Sequence, residues 1–163
     1  MLSEIREALV SRLAPIRDAG VIVRGLPNKM KEYGELNGAP QVLIFWKEDR
    51  PEAPEMTDLQ FQSVRMDWRI EVRSSSWRDE SGAEALLKAV NLLLYGWQPP
   101  HCQKLYLKSR EFLGQLENYW VCEAVYVAEA YVVEAASDEL GSLLTQIQAI
   151  DDFGGLTVGG IPV

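Results

Sequence analysis

Between Val64 and Val72 apolar and charged side chains alternate without a break. Val64, Met66, Trp68, Ile70 and Val72 occupy one set of positions, and Arg65, Asp67, Arg69, Glu71 and Arg73 the other. Successive side chains of a strand project to opposite faces, so the run predicts a long strand with one packed face and one charged face. It puts a sheet at the centre of the fold. Upstream, Ile5, Leu9, Leu13 and Ile16 recur at helical spacing with Arg6, Glu7 and Arg12 elsewhere on the wheel. That spacing predicts an opening amphipathic helix that weakens at Pro15 and ends at Gly20. Val21 to Val23 then reads as a short first strand.

The segment to Pro40, with Pro27, Asn28, Gly34, Asn37 and Gly38, is a connection rich in turn formers. Gln41 to Lys47 follows as a strand whose continuous apolarity predicts cover on both faces. Glu48 to Thr57, with Pro51 and Pro54 among charges, reads as an exposed loop. After the long strand, Ser81 and Glu84 match a capping box. Leu86, Leu87, Val90, Leu93 and Leu94 line one face of a helix that Gly96 can end and that should cover the sheet. Pro99 and Pro100 make a turn, Lys104 to Leu107 a short strand, and Tyr119 to Glu134 a long one paired in hairpin fashion with what precedes Asn118.

From Ala135 onward the composition shifts. Asp138, Glu139, Asp151 and Asp152 are present and no basic residue is. Leu140, Leu143, Leu144, Ile147 and Ile150 lie at helical spacing after Ser137, a suitable N-cap. The glycine-punctuated end around Leu156, Val158, Ile161 and Val163 is apolar, and such an arm is costly in water. It is expected to dock on its own domain or on a neighbouring subunit, the neighbour being favoured. The pattern as a whole predicts an α+β fold: a mixed or antiparallel sheet of about four to five strands with two packed helices, plus a C-terminal helix and apolar arm. The boundary falls between a domain at 1–135 and the helix and arm at 136–163.

At 163 residues and 47% hydrophobic content one core, and one main domain, is the natural expectation. The formal charge of −8 disfavours stable binding of a phosphate backbone by a single copy, while suiting a wall past which a polyanion slides. No apolar run approaches the roughly 18 to 20 residues of a bilayer span, and the first residues lack a basic-then-apolar signal, so a cytoplasmic site of synthesis and no membrane partner are expected.

Reactive chemistry finds little footing. Cys102 and Cys122 lack CxxC spacing and a histidine cluster, which argues against zinc; free thiols are favoured over a disulfide, and Cys122 reads as a buried hydrophobe. His101 is the only histidine, and its neighbour Cys102 is adjacent in sequence, whereas a catalytic pair must meet through space. Neither a P-loop nor a dinucleotide fingerprint is present. Asp79 with Glu80, and Asp151 with Asp152, lack the dense oxygen spacing of a calcium loop. Trp77, Trp97 and Trp120 read as core or subunit-interface residues rather than a stacking platform. No catalytic residue, metal or cofactor is therefore expected.

The charged residues Arg65, Asp67, Arg69, Glu71 and Arg73 are either a solvated sheet face or a contact whose alternating signs fix the register between copies. Together with Leu140, Leu143, Leu144, Ile147, Leu156, Val158 and Ile161 they are the candidate subunit-interface residues.

The order of elements adds a resemblance. A helix through Ile5 to Leu13, a strand at Val42 to Trp46, the long alternating strand, a helix ending Leu93-Leu94-Tyr95-Gly96-Trp97 and a strand pair from Phe112-Leu113 to Val133 resemble the tail-terminator or tail-completion proteins of tailed bacteriophages, of Mu-like contractile type. The resemblance covers about residues 1 to 135 and is one of pattern. It implies a non-enzymatic subunit of a homo-oligomer, a hexameric ring that caps the tail tube and sheath, ends their polymerisation and meets head-tail connector proteins. DNA would pass through the lumen without specific binding, and the protein would reside in the virion tail after assembly in the bacterial cytoplasm. The alternatives are a connector or adaptor subunit of the same virion, a non-viral protein-binding module, and a small enzyme using His101 or Cys102.

Overall fold

The computed structural model describes residues 1–26, 38–56 and 60–133. Three helices, α1 (Leu2–Arg12), α2 (Ala14–Asp18) and α3 (Ala83–Leu94), lie on one face of a mixed sheet. Its strands are β1 (Ile22–Gly25), β2 (Gln41–Pro51), β3 (Glu55–Met56), β4 (Gln60–Ser74), β5 (Tyr106–Leu116) and β6 (Tyr119–Val133). Their order is β1-β2-β4-β6-β5, with the short β3 also pairing with β4. Among the described residues β1 and β2 pair in parallel and the other pairings are antiparallel. The expected α+β class holds; among the described residues the opening helix is divided into α1 and α2.

The alternating segment is the central strand. Val64, Met66, Trp68, Ile70 and Val72 are all buried beneath the helices. On the same face β6 sets small residues beside large ones: Ala130 lies opposite Val64, Ala128 opposite Met66 and Ala124 opposite Ile70. This complementarity leaves room for α3, whose Ala83, Leu86, Val90 and Leu94 fill the layer above. The largest cross-strand pair, Trp68 opposite Tyr126, is oriented by Tyr126 Oη donating to Asn91 Oδ1 of α3 at 2.9 Å. Burial pushes the Tyr126 hydroxyl up to about 12, so it stays a donor throughout the neutral range. At the other end Ile5, Leu9, Leu13 and Ile16 are buried as their spacing requires. Pro15 sits in the first turn of α2, where its missing N–H goes unneeded, and Gly20 ends the segment at φ 93°.

Several expectations need correction. The charged stretch after Lys47 is not a loop throughout: β2 runs on to Pro51, and Glu55–Met56 forms β3. The ladder with β4 supplies main-chain partners that side-chain polarity does not reveal, continuing to Glu52 N–H, which donates to Ser63 O at 2.9 Å. Continuous apolarity in β2 likewise does not mean cover on both faces along its length. Val42, Leu43 and Ile44 are buried, but β1 pairs only as far as Ile44, and Trp46 is 45% exposed with Nε1 donating to Asp49 Oδ1 at 2.7 Å. The short strand at Lys104 to Leu107 is instead Tyr106–Leu116, an edge strand whose polar middle carries no apolar rhythm. The turn-rich connection lies outside the described residues over 27–37, and so does everything expected of residues 134–163.

The capping box at Ser81 does not form. Gly82 is the N-cap of α3 and no side chain caps it; the first free N–H groups, of Ala83 and Glu84, donate to the carbonyls of Ser76 and Trp77 at 3.1 Å. The incoming backbone takes over the role of a capping side chain. It passes so close that a Cβ at Gly82 would lie 2.7 Å from the Trp77 carbonyl carbon and oxygen and 2.9 Å from Asp79 N. Gly82→Ala is accordingly expected to destabilise the fold by about 1–3 kcal/mol in urea denaturation, alanine being also a poorer N-cap than glycine. Leu92→Ala, at a side chain 73% exposed, should stay within about 0.5 kcal/mol of the parent. Equal midpoints for the two variants would contradict this packing.

Candidate functional site

The second face of the sheet carries the charges predicted for it, but most are buried. Asp67, Glu71 and Arg73 are almost wholly inaccessible, whereas the side chains of Arg65 and Arg69 are 42% and 26% exposed. Each is matched within the chain. Arg65 Nε lies 2.7 Å from Glu129 Oε1 on β6, and its Nη2 3.0 Å from Glu52 Oε1. These contacts, the Glu129 hydrogen bond foremost, raise the guanidinium pKa further. Glu71 accepts from Arg69 Nη2 at 3.0 Å and from Arg73 Nε at 2.6 Å, two residues away on either side. Arg69 also lies over the Phe45 ring, 5.1 Å from its centroid.

Register explains why the arginines are needed. Glu71 faces Glu123 on β6, and Glu123 faces Glu111 on β5, so three carboxylates stand in a row across three strands. Like charges directly opposite are destabilising. Arg69 Nε, 2.5 Å from Glu123 Oε2, and Arg73 beside Glu71 offset that repulsion.

Asp67 is the most constrained group. It accepts from Arg50 Nη2 of β2 at 2.5 Å and from Lys108 Nζ of β5, although β5 is two strands away. Two bulges flank it. One lies in β2 between Trp46 and Glu48, the pairing partner of Asp67; the other lies in β5 between Leu107 and Ser109, at Lys108. A bulge re-aims a side chain, and here both break the ladder where a cation converges on one carboxylate. Lys108 also approaches Glu48 at 3.8 Å.

Elsewhere Trp77, Phe112 and Trp120 meet edge to face or tilted, with centroids 5.6 to 6.3 Å apart, and line an open apolar notch. Trp97 is not part of this set; its ring lies 5.6 Å from the guanidinium of Arg12. His101, at φ 62°, is exposed with Nε2 3.2 Å from Glu4 Oε2. Cys102 is buried, and burial pushes its thiol up to about 11, away from the thiolate a nucleophile needs. Both cysteines are free. Among the described residues no helix is long and apolar enough to cross a membrane, and no group of three or more His, Cys, Asp or Glu is placed to hold a metal.

As candidate subunit contacts, then, Arg65 and Arg69 reach solvent, and Asp67, Glu71 and Arg73 are engaged internally. Leu140, Leu143, Leu144, Ile147, Leu156, Val158 and Ile161 lie outside the described residues. Sequence reasoning missed Arg50, Lys108, Glu123 and Glu129. The period-two spacing of Glu123, Val125, Val127 and Glu129 was a usable signal for the last two; the bulges that aim Lys108 and Arg50 leave no such mark.

Burial pushes the Asp67 carboxyl up, but the hydrogen bonds from Lys108 and Arg50 outweigh it and hold the pKa below 3.8. Because the folded-state value is depressed, the stabilisation is present in full above the unfolded-state pKa and is lost as pH falls through the folded one. Asp67→Asn should cost about 1–3 kcal/mol near neutral pH, since both cations retain access to water. The difference from the parent should shrink below about pH 4. Chemical denaturation from pH 3 to 7 reads both effects; a pH-independent difference would contradict the pairing.

Among solved structures the fold is similar to a chain in the virion of a native gene transfer agent particle, with a TM-score of 0.55, 15% identity, and coverage of 82% of this chain and 96% of that one. No curated protein matches. A family model described as Gp37 protein matches residues 9–149, and the chain belongs to that family.

Proposed function

We propose that the chain is a non-enzymatic structural subunit of a phage-like virion, acting at the end of the tail. Copies assemble into a hexameric ring that caps the tube and sheath, ends their polymerisation and meets the head connector. The observation that carries this reading is the likeness to a virion chain: 96% of that chain is covered, so the whole subunit architecture is matched rather than a shared motif. The surface supports it as well. Tyr106, Phe112, Leu113, Leu116, Trp120 and Tyr131 are exposed large hydrophobics, all on the β5–β6 side of the sheet. Scattered apolar residues are ordinary on a surface, but a concentration on one side is what an assembling subunit presents. The net charge of −8 suits a lumen through which DNA slides without adhering.

Electron microscopy of the purified protein, alone and with tail tubes, tests the proposal. Rings in solution, or rings capping the tube ends, are the expected result. A monomer at tens of micromolar that also leaves tube ends bare would overturn it.

A further inference from the structure

We propose that the outer edge of β5, with the apolar side chains on its two faces, is the acceptor for the glycine-punctuated segment Leu156–Val163 of a second copy of this chain. The inference rests on the self-assembly reading above and identifies the contact that reading requires.

Strand β5 is eleven residues long and ends the sheet, and among the described residues no strand pairs with its outer edge. Such an edge offers a row of unpaired N–H and C=O groups to an incoming strand. Its middle, Lys108 to Glu111, is charged or polar, which blunts indiscriminate pairing. Its later part is not. Phe112 is 53% exposed, and with Trp77 and Trp120 it forms the notch on the helix-covered face. The bulge between Phe112 and Gly114 turns Leu113 to the other face, where it and Leu116 line a shallow depression beside Arg73 and Val121. The acceptor therefore has an apolar patch on each side of the sheet.

The proposed donor has a matching pattern. Leu156 and Val158 share one phase of a period-two repeat, Ile161 and Val163 the opposite phase, with Gly159 and Gly160 between. Laid along β5, the segment sets Leu156 and Val158 against Phe112 and Trp120, and Ile161 against Leu113 and Leu116. From Phe153 to Val163 there is no charged side chain to desolvate. Connectivity permits exchange between copies. Tyr119 and Trp120 begin β6 beside the notch, whereas Val133 ends it at the opposite end of a fifteen-residue strand, about 50 Å away at roughly 3.3 Å per residue. The intervening residues 134–155 reach up to about 70 Å when extended.

The test uses full-length chains in two differently tagged pools, mixed at assembling concentration and treated with a short bismaleimide. Val158→Cys is paired with Phe112→Cys, and Ile161→Cys with Leu116→Cys; the native Cys102 and Cys122 are buried and react slowly. The expected result is a product carrying both tags, at least about ten-fold above a Leu92→Cys control on the helical face, and reduced several-fold when the Leu116→Cys chain also carries Phe112→Asp. Light scattering on the same samples separates the failures. Full-size oligomers without the crosslink would overturn the acceptor site and leave self-assembly standing. A crosslink confined to one chain would overturn exchange between copies, and a strictly monomeric protein would overturn the self-assembly reading and the proposal with it.

Discussion

One constraint organises the molecule: β4 is paired along nearly its whole length on both sides, so neither of its faces can vary independently of its neighbours. On the helical face this fixes large residues of β4 beside small ones of β6 and gives α3 a bed to pack on. On the other face it forces Asp67, Glu71 and Arg73 out of water, so partners must come from β2, β5 and from β4 itself. A buried carboxylate without them would neutralise or destabilise the sheet. The two bulges beside Asp67 are the structural consequence, local breaks in regular pairing that bring Arg50 and Lys108 within hydrogen-bonding distance.

What was legible in the sequence follows from the same physics. The alternation from Val64 to Val72 and the helical spacing of Ile5, Leu9 and Leu13 depend on burial of one face, and burial leaves an apolar rhythm that can be read. Elements whose partners are main-chain groups leave none. The extension of β2 through Glu48 to Pro51 and most of β5 are polar, exposed strands defined by their ladders, and they read as loop or were cut short. Ser81 and Glu84 carry a capping signature that tertiary structure overrides, because the backbone of Ser76 and Trp77 already meets the orphan N–H groups. The charges of β4 were located correctly, but composition alone cannot say whether a charged face looks at water, at a neighbour or at its own sheet.

That distinction shifts attention from β4 to the side of the sheet bounded by β5. The charged face is largely satisfied within the chain, with Arg65 and Arg69 as its outward members. Of the exposed large hydrophobics, Tyr106, Phe112, Leu113, Leu116, Trp120, Tyr131 and Val132 lie on β5 and β6, beside an outer edge with which no strand among the described residues pairs, while Met1, Leu2, Leu26, Trp46, Leu92 and Tyr95 lie elsewhere. If copies associate as proposed, burying that side removes apolar surface from water. The paired charges would then contribute orientation more than affinity.

Hydrogen–deuterium exchange of the full-length protein, compared between dilute and assembling concentrations, tests this account most directly. It predicts that protection gained on assembly is concentrated in the amides of Tyr106–Leu116, with those of β4 protected equally in both conditions. Protection gained over α1 and α3 while β5 continues to exchange freely would contradict it.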